Sequence, residues 1–241
     1  MNGEALLRGD FHVHSTFSDD GNDSLEVNVA AASAAGLSEL RFADHVRSGT
    51  TWVPDYLAAV ARLKRPEGLT VSCAVETKIG DASGRLDLPA GLRMGAGGVD
   101  AVLIADHRFP GTDGAWTPEE TRRRMTAGLG VSDALDLLIG ALGAAMRSVE
   151  AGQLAHCFSI LPKIGLSEDD LTDEHLRAWA ADAAHAGTAV EINEKWDCPG
   201  PRAVRAAIAA GAHIVASTDS HRATDVGRYD NVTRIIAEAT R

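Results

Sequence analysis

Short apolar runs alternate with amphipathic stretches along nearly the whole chain. Ser24 to Ala35 reads as a helix, with Ser24 as its N-cap and Gly36 just past its end. An apolar run at Leu40-Arg41-Phe42-Ala43 follows, then a helix opened by Pro54 and running through Leu63. Leu69 to Val75 and Val99 to Ala105 are β-rich runs, separated by an irregular, glycine-rich stretch from Gly80 to Gly98 that carries no periodicity. Thr117-Pro118-Glu119-Glu120 opens a long helical stretch, broken at Gly128 and Gly130 and resuming from Ser132 through Val149. Beyond it come a short strand at Leu154-Ala155-His156, a helix over Thr172 to Ala186 and a strand over Thr188 to Asn193. A helix over Pro201 to Ala210, a strand over His213 to Ser217 and a last helix over Thr224 to Ala239, interrupted near Gly227, complete the pattern. Strand–helix alternation implies a parallel sheet, and about seven such units suit a closed or nearly closed β/α barrel. With no linker or internal repeat, residues 1–241 read as a single domain in which 117–149 forms a helical insertion.

Composition refines this picture at a few points. Aromatic residues make up only 5% of the chain, so Ala, Val, Leu and Ile must fill the core. The net charge of −11 repels a phosphate backbone and disfavours nucleic acid as a partner. Cys73, Cys157 and Cys198 lack CxxC spacing, which points to a reducing compartment without a disulfide framework. No signal-peptide pattern opens the chain, and the apolar stretch from Ala134 to Met146 is too short to cross a bilayer. A cytoplasmic protein without membrane contact is the expectation, and the oligomeric state is left open.

The chemistry lies where the apolar runs stop. His12, His14, His45, Glu76, His107, His156, Asp219 and His221 each follow directly on one. His12 and His14 share a strand face, because successive side chains alternate. The C-terminal strand ends of a β/α barrel converge on one face, so residues two hundred positions apart would meet there. Imidazole and carboxylate together suit Zn, Mn or Fe better than Mg or Ca. His175 and His185, in a helical pattern, and His213, opening a strand, read as structural or surface residues.

The run Asp10-Phe11-His12-Val13-His14-Ser15-Thr16-Phe17-Ser18-Asp19 resembles the first motif of the PHP family, the polymerase and histidinol phosphatase domain. Ala43-Asp44-His45, Val75-Glu76, His107, Leu154-Ala155-His156 and Ser217-Thr218-Asp219-Ser220-His221 resemble the motifs that follow, in the same order. The resemblance implies a distorted seven-stranded TIM-like barrel holding up to three divalent metal ions. Carried over, His12, His14, Glu76 and Asp219 would bind one ion. Glu76, His107 and His156 would bind a second, with Glu76 bridging, and Asp19, His45 and His221 a third. Asp20 stands where the family usually has glycine, so either Asp19 or Asp20 could be the ligand, with Asp19 favoured by position.

The reaction expected from this set is hydrolysis of a small-molecule phosphate monoester, of the histidinol phosphate type or a related metabolite, by a metal-bridging hydroxide. Alternatives are a phosphodiesterase or nuclease, a phosphotyrosine-protein phosphatase, or a metal-binding module without activity. Arg47, Arg108, Lys195 and Arg222 flank the ligand positions as candidate catalytic cations, and Lys163 is a further candidate for binding phosphate. Glu191 and Asn193 share a strand face and are expected near the mouth, where they would bind substrate or support a ligand. Asp10 would orient a histidine from behind, and Trp52, Trp116 and Trp196 are candidates for a pocket wall.

Overall fold

A computed structural model describes residues 3–241. Its central sheet is parallel and runs β1 (Gly9–Val13), β2 (Glu39–His45), β3 (Thr70–Lys78), β4 (Ala101–Ala105), then β7 (Gly152–Ala155), β8 (Ala189–Asn193) and β9 (Ile214–Ser217). Strands β5 (Phe109–Gly111) and β6 (Gly114–Trp116) form a separate antiparallel hairpin, which the sequence pattern did not reveal. The sheet curls until its first and last strands meet beyond the end of β9. There His14 N donates to Ser220 O at 2.8 Å, and Ser220 N donates to His12 O at 3.3 Å. Seven parallel strands thus form a nearly closed, distorted (β/α)7 barrel.

Alternation along the strands sorts residues between two environments. Leu40, Phe42, Val71, Cys73, Val75 and Val102 pack outward with Val29, Tyr56 and Val60 of the covering helices. Ala43, Ala74, Ala101, Leu103, Ala105 and Ala155 form a small cluster of their own. Small side chains suit the narrow interior of a seven-stranded barrel. Polar groups also bridge strands within it: Arg41 donates to Gln153 Oε1 at 2.7 Å, and Gln153 Nε2 donates to Glu191 Oε2 at 2.6 Å.

The helices begin where capping chemistry dictates. Helix α1 is Gly3–Leu6, and α2 (Leu25–Ala34) is capped by Ser24, whose side chain accepts from Val27 N. Helix α3 is Val53–Arg62, with Pro54 in its first turn. The long helical stretch resolves into α4 (Pro118–Thr126), capped by Thr117, and α5 (Val131–Arg147). Helix α5 is the crossover between β4 and β7, and it buries Leu135, Leu138, Leu142 and Met146 in the largest apolar cluster. A short helix, α6 (Ile160–Lys163), follows β7, and α7 (Asp173–Ala186), α8 (Pro201–Ala210) and α9 (Asn231–Ala239) complete the shell. Among the described residues no helix is long and apolar enough to cross a membrane.

Two expectations are corrected here. The last helix breaks near Gly227 as expected but more widely: a short 3-10 turn at Ala223–Asp225 stands apart from α9, which starts at Asn231, because Gly227 sits at φ +69° and its N–H turns away to Asp10. Asp10 does not orient a histidine ring. Register slips by one residue between Asp10 and Val13, so Asp10 and His12 lose their common face. The Asp10 carboxylate instead accepts from Thr218 N, Thr218 Oγ1 and Gly227 N at 2.6–3.0 Å, pinning β1 to the end of β9.

Glu168 gives the fold a measurable pH response. Both its oxygens lie 2.9 Å from Gly200 N at the start of α8. Burial, reinforced by the charges of Asp106, Asp169 and Asp197, pushes its carboxyl up to about 7, against the bonding from Gly200. The folded protein therefore holds a proton that the unfolded chain has released, and stability falls as pH rises from about 4.5 to about 7. Glu168→Gln is expected to match the wild type in urea unfolding near pH 4 and to exceed it by ~1–3 kcal/mol at pH 8.

Candidate metal centre

At the C-terminal strand ends the barrel interior gives way to imidazoles and carboxylates. Glu76, on β3, lies at the centre with its side chain fully buried. Its Oε1 is 3.1 Å from His107 Nε2 and 3.0 Å from His156 Nε2. Its Oε2 is 2.9 Å from His45 Nδ1, 3.4 Å from His12 Nε2 and 3.5 Å from His14 Nε2. Asp219 Oδ1 reaches the same two rings, 3.1 Å from His14 Nε2 and 3.8 Å from His12 Nε2. Three groups have ligand atoms close enough for a metal ion: His12, His14 and Asp219; His45, Glu76 and His107; and His14, Asp20, His45 and His221.

Four of the rings are held from behind. His12 Nδ1 faces the Glu191 carboxylate at 3.2 Å, and His221 Nδ1 faces the Asp219 carbonyl at 2.9 Å. His14 Nδ1 meets Ser18 Oγ at 3.1 Å, and Ser18 Oγ donates to Asp44 at 2.8 Å. His156 Nδ1 meets Ser159 Oγ at 3.2 Å, and Ser159 Oγ donates to Asp106 at 2.8 Å. A hydroxyl that gives its proton to a carboxylate offers only lone pairs to the imidazole. The Nδ1 atoms of His12, His14 and His156 are therefore donors, and each of those Nε2 atoms turns a lone pair toward the centre.

Bare lone pairs in that arrangement repel. His12 Nε2 and His14 Nε2 stand 3.1 Å apart, and Glu76 Oε2 is buried with no aligned hydrogen-bond donor. A cation among these atoms removes both penalties, so the donor set fits divalent metal ions of the imidazole-and-carboxylate type. Protons are the alternative. Burial opposes ionisation of Glu76, yet the charges of His107, His12 and His45 hold its carboxyl well below the usual range. Burial likewise opposes charge on His12, but Glu191, Glu76 and Asp219 raise it well above the ordinary imidazole value. Burial and the neighbouring His12 charge leave His14 lowered, even with Asp219 beside it. The backbone is strained here too: His156 and Asp219 adopt φ of +30° and +53°, as does Phe158 at +77°. Such conformations cost about 1–3 kcal/mol each and gather at functional sites.

The remaining candidates separate by position. Asp20, not Asp19, joins the cluster: Asp20 Oδ2 lies 3.0 Å from His221 Nε2 and 3.5 Å from His45 Nε2. Asp19 points out, 75% exposed, and pairs with Arg47 at 3.4 Å. Gly21 fixes this turn, since a Cβ there would fall 1.9 Å from Ser15 O. Arg47 and Arg108 line a cavity of about 370 Å³ over His45, Glu76 and His107. Lys78 lines it as well, paired with Asp87 at 2.9 Å; the sequence reading missed it, although it lies two residues past Glu76 on the same strand face. Lys195 sits between His221 Nδ1 and Asp219 Oδ2, at 3.2 and 3.3 Å. Lys163 stacks over the Trp196 ring at 4.0 Å.

Arg222 is exposed, and its carbonyl accepts from Ser220 Oγ, so it stands apart from this cavity's wall. Glu191 and Asn193 do not reach substrate space. Both are fully buried, and Glu191 holds His12 Nδ1, His156 N and Asn193 Nδ2. Asn193 Oδ1 in turn accepts from Trp196 N, so both side chains are taken up by protein partners. Among the tryptophans, Trp116 is buried under the Arg124 guanidinium, Trp52 lines a cavity shared with Arg47 and His45, and Trp196 reaches Asp219. His175 closes a capping box and meets Asp136 at 3.0 Å, while His185 and His213 are exposed; none belongs to the three groups.

Fold and donor set together define a class: the chain belongs to the PHP domain family, which matches residues 10–195. Membership supports metal-dependent phosphoesterase chemistry. In structure the chain is similar to a zinc-, L-histidinol- and phosphate-bound histidinol phosphate phosphatase from Lactococcus lactis. The TM-score is 0.64 at 18% identity, over 96% of this chain and 92% of that one. That likeness speaks to the fold. No curated protein matches the chain in sequence.

The position of Asp20 is directly testable. Asp20→Asn is expected to lower the zinc content of saturated, gel-filtered protein measured by elemental analysis, whereas Asp19→Asn is expected to retain the wild-type content.

Proposed function

We propose that the protein is a metal-dependent phosphatase acting on a small-molecule phosphate monoester. The observation that carries this reading is the convergence on Glu76. One buried carboxylate presents an oxygen to each of two groups of imidazoles, at the floor of an open cavity whose rim is cationic. His12, His14, Asp219 and Glu76 would hold one ion, Glu76, His107 and His156 a second, and Asp20, His45 and His221 a third. Bound divalent ions would supply a low-pKa water as nucleophile and neutralise charge on the phosphoryl oxygens.

The chain's own residues do the rest. Arg108 makes no ion pair among the described residues, so its guanidinium is available to a phosphoryl oxygen at the cavity rim. Arg47 and Lys78 stand in the same wall with their charge shared by Asp19 and Asp87, so phosphate must compete with those carboxylates for them. Lys195 approaches the centre from the other side. Glu191, Ser18 and Ser159 act through His12, His14 and His156, holding each ring in the tautomer that leaves Nε2 unprotonated. The fold likeness to a histidinol phosphate phosphatase supports a metabolite-sized substrate, as does the net charge of −11.

Protein loaded with zinc or manganese is expected to hydrolyse p-nitrophenyl phosphate and to act much more slowly on the bis-ester. His14→Ala and Asp219→Ala should each lower kcat/KM at least a hundredfold. Arg108→Ala should act mainly on KM. Full activity in the His14 and Asp219 variants would refute the metal mechanism, and preference for the bis-ester would redirect the reading to a phosphodiesterase.

A further inference from the structure

The two oxygens of Asp219 face different partners. Oδ1 turns inward, 3.1 Å from His14 Nε2 and 3.8 Å from His12 Nε2. Oδ2 turns outward, where it accepts the Trp196 indole N–H at 2.7 Å and lies 3.3 Å from Lys195 Nζ. Trp196 is among the few large apolar side chains left exposed, at 36%, so water could have satisfied its N–H. Its loop aims that N–H at a carboxylate instead. Asn193 N donates to Cys198 O at 2.8 Å across the base of the loop, and Trp196 N donates to Asn193 Oδ1 at 3.0 Å. The next residue, Asp197, takes φ +52° and pairs with Arg234. The indole also packs beside His156, with ring centroids 5.7 Å apart, and carries the Lys163 ammonium 4.0 Å over its ring.

Resting on the metal-centre reading above, we propose that Trp196 is a positioning residue with two separable parts. Its N–H occupies Asp219 Oδ2 and so holds Oδ1 toward His12 and His14, where an ion would be held, while its ring is the platform that holds Lys163. A carboxylate free to turn could swing Oδ1 away from the two rings, and the cost of ordering it again would fall on metal binding. An indole N–H only donates, so it can hold Oδ2 without competing for the ion. Lys195 reinforces the same oxygen with charge. The cation–π contact orders a long, flexible lysine that would otherwise lose entropy on meeting an anion.

Two variants of the full-length protein separate the parts. Trp196→Phe removes the N–H and keeps a ring for Lys163, whereas Trp196→Leu removes both. In calorimetric titration of metal-stripped protein with zinc, both variants are expected to bind about tenfold more weakly than wild type. With p-nitrophenyl phosphate, KM should stay near the wild-type value in Trp196→Phe and rise several-fold in Trp196→Leu. The indole N–H resonance of Trp196, identified by its absence from the Phe variant, should stay downfield and protected from solvent exchange as zinc is added. Wild-type zinc affinity in Trp196→Phe, or an indole resonance that moves to the free position on zinc binding, overturns this inference alone. A wild-type protein that binds no zinc overturns the metal-centre reading and this inference with it.

Discussion

A carboxylate at the axis of a barrel cannot be left uncompensated, and much of this protein is arranged around that constraint at Glu76. Its side chain has no contact with water, so the charge must be balanced by groups within a few ångströms. Five imidazoles surround it, from the ends of β1, β2, β4 and β7, and a cation held among them would supply the balancing charge. Because the parallel strands all finish on one face, residues distant in sequence meet there without long loops. Small residues below let the strands draw close. The Asp10 clamp between β1 and the end of β9 brings Asp219 and His221 up to the group.

Behind the imidazoles the same device occurs twice. Asp44-His45 ends β2, and Asp106-His107 follows β4. In each pair the histidine turns inward to Glu76, while the aspartate receives a serine hydroxyl from a neighbouring loop. Each serine in turn fixes a histidine from a different strand, Ser18 for His14 and Ser159 for His156. Strand alternation thus couples the ring on one strand to the orientation of the ring on the next. This coupling resists the splaying apart that mutual repulsion of the Nε2 lone pairs would otherwise cause. It also supplies a reason for the strained backbone at His156 and Asp219, which aims those side chains where an unstrained strand end would not.

The cationic side of the site is less rigidly determined than the anionic side. Arg47 and Lys78 enter the cavity wall already paired with Asp19 and Asp87, whereas Arg108 has no such partner. Lys163 is ordered by an aromatic face rather than by a carboxylate. An anion arriving at this mouth meets charges of graded availability, with Arg47 and Arg108 on loops, Lys78 at the end of β3 and Lys163 at the end of α6.

The barrel, and the imidazoles and carboxylates at its strand ends, can be read from the chain alone. Apolar runs ending in His12, His14, His45, Glu76, His107, His156, Asp219 and His221 are legible because strand periodicity and donor chemistry are both local properties. Helix starts at Ser24, Thr117 and Pro201 are legible for the same reason. Only the tertiary structure decided which neighbour does what. The choice of Asp20 over Asp19 depends on a turn closed by Gly21 against Ser15. The separation of Asp10 from His12 depends on a one-residue register slip that alternation cannot foresee. The burial of Glu191 depends on His12 and His156, which are distant in sequence and meet it only across the barrel. The attachment of Trp196 to Asp219 joins two loops that meet only once the barrel closes. Pattern reports what each strand presents, but contacts between strand ends are set by register, bulges and backbone strain, and these exist only in three dimensions.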